Sequence, residues 1–353
     1  MDETVTNYFI GGDIGGTKTL LQAAESKDGQ VQVYYERRYA SREYSSFSEM
    51  LKDFLERVTG KDSPVKAHCP AAACFAVAGP IEQGKVNLTN LRWAMDGAAI
   101  AAEFSIPRVK LINDFAAVAL SIETLSDNDL VMLQAGHVYP GEMRVALGAG
   151  TGMGVAWLIW QSNRYAISPS EAGHMDFAPS DELQDRLLRH LRDRLGRVSV
   201  ERVLSGPGLT NIFNFLQTDR KSGQPAGGRG LRSDPPKHMQ VIPEEDGAAQ
   251  VADLAFNHNH PTARKAIDLF VQIYGAYAGD MALAGLSRGG VYIAGGIAPR
   301  IIDKMKEGGF MRAFCSKGRF TALMEKIPVY VVVNPKAGLL GAAQEAGRMC
   351  LQG

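Results

Sequence analysis

The chain has 353 residues, with 38 Lys+Arg against 38 Asp+Glu and a formal net charge of zero. At about 150 residues per domain this length predicts two domains, each large enough to bury its own core. Balanced charge without a long basic run excludes a nucleic-acid or membrane-surface footprint. No apolar run approaches the ~18 residues that a spanning helix needs, so the expected partner is a small molecule.

The four cysteines, Cys69, Cys74, Cys315 and Cys350, form no C-x-x-C pair, and Met1-Asp2-Glu3 lacks the basic and apolar regions of a secretory signal. A soluble protein of the reducing cytoplasm is the expectation.

In chain order, the first informative stretch is Gly11-Gly12-Asp13-Ile14-Gly15-Gly16-Thr17-Lys18, between the apolar residues 8–10 and 19–24. Apolar flanks read as two strands, and a Gly-rich turn with Asp13 and Lys18 at its tip makes a hairpin whose backbone N–H groups can hold a phosphate. A Walker A loop is excluded because Thr17 separates Gly16 from Lys18 and a β-compatible run follows instead of a helix. A dinucleotide fingerprint is excluded because G-x-G-x-x-G running into a helix occurs nowhere in the chain. An ordinary tight hairpin stays open as the alternative.

Residues 31–39 continue as a strand. Residues 47–58 carry apolar side chains at the spacing of an amphipathic helix, and 74–78 read as a buried strand. The polar segment 86–93 predicts a loop before a helix over 97–104. A short strand over 109–112 ends at Asn113-Asp114, just before a helical pattern over 115–125. Open α/β sheets bind ligands at the carboxyl ends of their strands, but an Asn-Asp pair before a helix is also an ordinary N-cap. Strands followed by alternating helices and strands imply mixed sheets with helices packed on them.

A second hairpin then appears. Arg144-Val145-Ala146-Leu147 leads into Gly148-Ala149-Gly150-Thr151-Gly152-Met153-Gly154, and 155–160 form another apolar β-like run. Glu171 and His174 follow, three residues apart. A metal half-site, a surface pair and a hydrogen-bonded pair are all compatible with that spacing, although no second Glu/His pair completes a di-metal site. Residues 181–197 read as a solvated amphipathic helix. Glu201 precedes Ser205-Gly206-Pro207-Gly208, where a capping or surface role is the plain alternative. Residues 219–247, rich in Gly, Pro and charge, predict a partly mobile surface insertion. Helical patterns resume over 248–286, with His258-Asn259-His260 a polar boundary before Pro261. A strand over 290–294 meets Gly295-Gly296, a strand spans 329–333, and a final helix spans 338–349.

Together these motifs resemble the sugar kinases of the actin, hexokinase and heat-shock chaperone ATPase superfamily. Asp13-Ile14-Gly15-Gly16-Thr17-Lys18 is similar to its first phosphate hairpin, residues 148–152 to its second, and Gly295-Gly296-Ile297 to its adenosine loop. Within the superfamily, Leu111-Ile112-Asn113-Asp114-Phe115, the stretch from Glu171 through His174 to Pro179, and Glu201 through Gly208 resemble the bacterial glucokinase family over about residues 10–343. One departure is visible: Ala149 stands where many of its members have proline.

The resemblance implies an α/β fold of two actin/hexokinase-like, ribonuclease H-type domains with a cleft between them. The small domain would comprise 1–125 plus about 334–353, and the large domain about 126–333. It implies ATP as donor and the 6-hydroxyl of glucose as acceptor, at the first step of glycolysis, in a cytoplasmic homodimer. Asp114 would be the base, and Asn113, Asp114, Gly152, Glu171, His174 and Glu201 would contact the sugar, with Thr89 and Asn90 bordering it. Asp13, Gly15, Gly16, Thr17, Lys18, Gly150, Thr151, Gly295 and Gly296 would contact the nucleotide, and Asp13 would help place Mg²⁺ through water. A kinase of a related hexose is the alternative in the same class. A chaperone-like or filament-type ATPase, which gives no reason for the Asn-Asp, Glu-x-x-His and Glu set, is the alternative from another class. A sugar-binding regulator is opposed by the neutral charge and the missing DNA-binding module.

Overall fold

The computed structural model describes residues 7–27, 30–60, 65, 69–88, 91–219, 242 and 247–351. The chain forms two compact units, Met1–Leu130 with Asn334–Gly353, and Val131–Val333.

In the first unit, β1 (Phe9–Ile14) and β2 (Lys18–Lys27) pair antiparallel with Ile14 opposite Thr19, and β3 (Gln30–Ala40) pairs on β2. Helix α1 (Phe47–Val58) starts where the Ser46 side chain accepts from Glu49 N–H, and it buries Phe47, Met50, Leu51, Phe54 and Val58 at the predicted spacing. Strand β4 (Ala72–Val77) is buried along its length and runs parallel to β1, as a central strand covered on both faces must be.

The predicted loop over 86–93 is instead largely a small hairpin, β5 (Lys85–Leu88) against β6 (Trp93–Asp96). Its physical cause is a two-residue period: Val86 and Leu88 are buried while Lys85 and Asn87 are exposed. Thr89 and Asn90 lie outside the described residues. Helix α2 (Gly97–Glu103) is capped by Asp96, and β7 (Val109–Asn113) runs parallel to β4. Helix α3 (Asp114–Ser121) is shorter than predicted. After Ser121 the N–H groups of Ile122, Glu123 and Thr124 bond three residues back, to Ala119, Leu120 and Ser121, so the helix tightens and ends.

The strand order is β3-β2-β1-β4-β7. The C-terminal helix, Ala337–Leu351, lies against β1 and α3. Its approach is close enough that a Cβ on Gly11 would sit 2.8 Å from Ala343, and one on Gly341 would sit 1.7 Å from the Ala117 carbonyl oxygen.

The second unit repeats the pattern. Its strands are β8 (Leu130–Gln134), β9 (Arg144–Ala149), β10 (Met153–Gln161), β11 (Arg164–Ser170), β12 (Gly290–Ala294) and β13 (Val329–Val332). They form one sheet in the order β11-β10-β9-β12-β13-β8. As in the first unit, three strands meander antiparallel and the next pair parallel to the first of them, β12 on β9 and β13 on β12.

The helices of this unit are α4 (Glu182–Leu195), α5 (Gly206–Asp219), α6 (Gly247–Phe256), α7 (Pro261–Ala284), α8 (Ile302–Lys306), α9 (Gly309–Cys315) and α10 (Thr321–Met324). The helical patterns predicted over 248–286 part at the predicted polar boundary of residues 258–260, where Pro261 opens a new helix and the His260 ring caps it. Of the predicted insertion, residues 220–241 and 243–246 lie outside the described residues. Asp219 and Gly247 are helical, and Ile242 is buried.

Candidate active site

In the first unit, the turn between β1 and β2 consists of residues 15–17, so Asp13 lies within β1 and Lys18 opens β2. Both are therefore strand residues beside the turn and not, as the glycine pattern predicts, at its tip. None of Gly11, Gly12, Gly15 and Gly16 has a left-handed φ. Gly11 and Gly12 serve packing, and a Cβ on Gly12 would meet Phe75 at 2.7 Å and Leu21 at 2.8 Å. The Gly15 N–H donates within the turn to the Lys18 carbonyl at 3.0 Å. A recess here is lined by Asp13, Gly15, Gly16, Thr17, Lys18 and Leu20.

Sequence reasoning left Ser41 unassigned, yet it fixes this turn. Its buried hydroxyl donates to the Gly15 carbonyl at 2.7 Å and lies 3.0 Å from Thr19 Oγ1, while its N–H donates to the Thr17 carbonyl at 3.1 Å. No motif could have found it, because a serine after a strand has no distinguishing local pattern.

Asn113 ends β7 and caps α3, its Oδ1 accepting from Phe115 N–H at 2.9 Å and Ala116 N–H at 3.2 Å. Asp114 Oδ1 accepts from Phe115 N–H at 2.8 Å. Capping and site placement therefore coincide. Asp13 is close enough to Asp114 to feel its charge. Burial first, and then that charge, push the Asp13 carboxyl up from 3.8 to about 6, against the opposing pull of Lys18.

In the second unit, the turn over 150–152 is closed by Gly150 N–H donating to the Gly152 carbonyl at 2.8 Å. The Gly150 carbonyl accepts from Gly206 N–H at 2.8 Å, which ties the turn to the first residue of α5. Glu201 sits in the short turn Val200–Arg202 and reaches the same hairpin, where its Oε2 accepts from Met153 N–H at 2.9 Å. A Cβ on Gly152 would come within 2.5 Å of that oxygen, so glycine is required for this approach. Thr151, Gly295 and Gly296 are exposed. Gly295 has φ +83, and a Cβ there would meet the Ala149 carbonyl oxygen at 2.5 Å, whereas Gly296 faces open space. Ala149 donates its N–H to the hydroxyl of Tyr274 at 3.0 Å. A proline at 149 would have no such donor.

Glu171 and His174 flank the turn Ala172–His174, which is anchored by the Tyr277 hydroxyl donating to the Ala172 carbonyl at 2.8 Å. Both side chains are exposed, and the Glu171 carboxylate lies 4.0 Å from His174 Nε2, too long for a hydrogen bond. The turn is joined to that of Glu201 by Val200 N–H, which donates to the Met175 carbonyl at 2.8 Å. The turns that carry Glu171, His174 and Glu201 thus both lie against the second hairpin, Gly173 packing on Met153 and Glu201 bonding its N–H. Among the described residues no cluster of three or more His, Cys, Asp or Glu is placed to hold a metal on its own.

Two α/β units that share a five-strand order, the second adding β8 at its edge, and that each carry a strand, Gly/Thr turn, strand hairpin, define the two-domain actin/hexokinase-like fold of sugar kinases. The chain superposes on the glucokinase of an Antarctic psychrotroph with a TM-score of 0.82 and 29% identity, covering 98% of this chain and 100% of that one. It superposes on a ROK family glucokinase from Streptomyces griseus, solved in complex with glucose and AMPPNP, with a TM-score of 0.57 and 18% identity, covering 97% and 100%. It is 41% identical to the glucokinase of Nostoc punctiforme over 346 residues, 97% of this chain and 99% of that one. Residues 10–349 match the family model described as Glucokinase. The chain belongs to the glucokinase family and is an enzyme, an ATP-dependent sugar kinase.

Proposed function

We propose that this protein transfers the γ-phosphoryl group of ATP to the 6-hydroxyl of glucose, with Asp114 as the base. The observation that carries the assignment is the carboxylate pair of the first unit. Asp114 is fixed at the start of α3 by Asn113 and Phe115, and it is close enough to Asp13 to raise the protonation constant of its neighbour. Phosphoryl transfer needs positioning and charge neutralisation more than covalent help, and a base set beside a phosphate hairpin supplies the first of these. Asp114, held by the Phe115 N–H at its Oδ1, would accept the hydroxyl proton.

The remaining roles follow from the same chemistry. Asn113, Glu171, His174 and Glu201 would take the sugar hydroxyls, with Gly152 leaving room for Glu201. Gly16, Thr17 and Lys18 would face the phosphates. Gly15 would serve by its shape, since its N–H is already paired. Gly150 and Thr151 would carry the second phosphate turn, and Gly295 and Gly296 would border the adenosine.

The donor set also fits a hard divalent cation. Asp13 is a buried carboxylate whose pKa is raised to about 6, by burial and then by the charge of Asp114, so a cation beside it would favour its ionised form. Asp13 would hold Mg²⁺ through water, with phosphate oxygens and solvent completing the shell, as that ion usually requires. When bound, the ion would neutralise phosphate charge. The reading includes a cytoplasmic homodimer acting at the first step of glycolysis; light scattering on purified protein tests the dimer.

A coupled kinase assay across glucose, mannose and glucosamine, with ATP or polyphosphate as donor, tests the assignment. Sugar-dependent ADP formation with glucose preferred is the expected result. ATP hydrolysis indifferent to sugar would overturn it in favour of a chaperone-like or filament-type ATPase.

A further inference from the structure

Helix α7 carries two tyrosine hydroxyls that end on backbone groups of two different loops. Tyr274 and Tyr277 are three residues apart and so share a face of the helix. Tyr274 is fully buried and Tyr277 nearly so. The Tyr274 hydroxyl accepts from Ala149 N–H, one residue before the Gly150-Thr151-Gly152 turn. The Tyr277 hydroxyl donates to the Ala172 carbonyl, between Glu171 and His174. The Ala149 peptide is itself a junction, because its carbonyl accepts from Ile297 N–H at 3.3 Å and lies against Gly295.

The opposite face of the helix is clamped. A Cβ on Gly275 would sit 2.1 Å from the Phe310 carbonyl oxygen, and one on Gly279 would sit 2.5 Å from that of Phe314, so the backbone of α9 is seated directly on the helix. Taking 100° per residue, these glycines point roughly 150° away from the tyrosines. The Tyr274 ring is further held edge-on by Phe270, with centroids 5.9 Å apart, and by Phe310 at 5.8 Å. A helix seated this closely, with two buried rings and that of Tyr274 packed edge-on, holds both hydroxyls in place.

We propose that Tyr274 and Tyr277 are positioning residues, Tyr274 for the nucleotide loops at 149–152 and 295–297 and Tyr277 for the sugar turn at 171–174. One rigid helix then sets the spacing of the two loops. The proposal rests on the assignment of those loops to ATP and to the hexose.

The test is Tyr274→Phe and Tyr277→Phe in the full chain, each removing one hydroxyl while keeping the ring. Losing one hydrogen bond on average corresponds to about fivefold in an equilibrium constant. Tyr274→Phe should therefore raise the ATP KM by about fivefold or more with the glucose KM within twofold, and Tyr277→Phe should do the reverse. Hydrogen exchange reads the positioning without any chemistry. Tyr274→Phe should speed exchange at 149–152 and 295–297 but not at 171–175, and Tyr277→Phe the opposite. Equal changes in both loops, unchanged exchange, or a loss of kcat with no split between the two KM values would overturn the proposal. A parent enzyme without sugar-dependent activity would sink the functional assignment instead, while the exchange pattern would still decide whether the tyrosines position their loops.

Discussion

Asp13→Asn offers the sharpest physical test, because it should stabilise the protein while disabling it. The Asp13 carboxyl is pushed from 3.8 to about 6, by burial and then by Asp114. Its ionised form is therefore disfavoured in the folded state. The stability tied to this group is complete below pH 3.8, where the carboxyl is neutral in both folded and unfolded chains, and it is lost as pH rises through about 6. The difference between those two constants, at about 1.4 kcal/mol per tenfold, is a cost of up to ~3 kcal/mol at pH 7.5, and roughly half of that at pH 5. Asparagine has nearly the same shape and never ionises, so the variant escapes this cost. The assay is thermal unfolding of parent and variant, without nucleotide or divalent cation, between pH 4 and pH 8. At pH 4 the two should melt within ~2 °C of each other. At pH 7.5 the variant should melt higher, by up to ~10 °C in the transition of the unit that carries residue 13, at ~2 to 4 °C per kcal/mol for a domain of such size. Kinase turnover should fall in the same variant. Melting curves that coincide at pH 7.5, or a variant less stable there, would refute the claim that this carboxylate is held against its own preference.

Other substitutions separate chemistry from packing. Asp114→Asn keeps the hydrogen bond to Phe115 but removes the proton acceptor, so turnover should fall at least ~10²-fold while glucose affinity changes far less; near-normal turnover would remove Asp114 from the role of base. Glu201→Gln can still accept from Met153 N–H, so the hairpin should survive while glucose kcat/KM drops about tenfold or more and the ATP KM holds; a change under threefold would return Glu201 to a purely structural role. Gly296→Ala meets nothing within 4 Å, so its melting temperature should match the parent while the ATP KM rises; an unchanged KM would detach this glycine from nucleotide binding. Gly341→Ala, whose Cβ would lie 1.7 Å from the Ala117 carbonyl oxygen, should cost ~3 kcal/mol or more by overpacking, and a variant of parental stability would contradict the tight seating of the C-terminal helix.

Much of the fold was legible because local pattern and tertiary demand agree. Helix α1 begins and ends where its apolar spacing predicts, because one face of it must be buried, and Ser46 satisfies the Glu49 N–H at its start. The two glycine-rich hairpins were legible for a different reason: they recur, and recurrence at the same place in two sheets that share five strands of one order reflects a repeated unit. What failed were boundaries set by competition. The small hairpin over 85–96 passed for a loop because Asn87 and Lys85 on its exposed face dilute the apolar content, leaving only the alternation with Val86 and Leu88 as a signal. Helix α3 ended early because three-residue turns replaced four-residue ones, a change that no side chain between Ile122 and Leu125 announces.

The candidate site divides along the same line. Residues whose side chains would touch ligands, such as Asp114, Glu201 and His174, stood out through the motifs that resemble the glucokinase family, since each alone also allowed a capping or surface role. Residues that hold those turns did not. Ser41, Tyr274 and Tyr277 act through hydroxyls that meet backbone groups 26, 125 and 105 residues away, and contacts so distant leave no spacing to read. The glycines misled in the opposite direction. Gly11, Gly12 and Gly15 belong to one glycine-rich string, yet two of them admit neighbouring side chains and the third pairs its N–H inside the turn. A glycine records only that a Cβ is absent, and whether the vacated space belongs to a phosphate or to the methyl of Ala343 is decided by a helix more than 300 residues further along the chain.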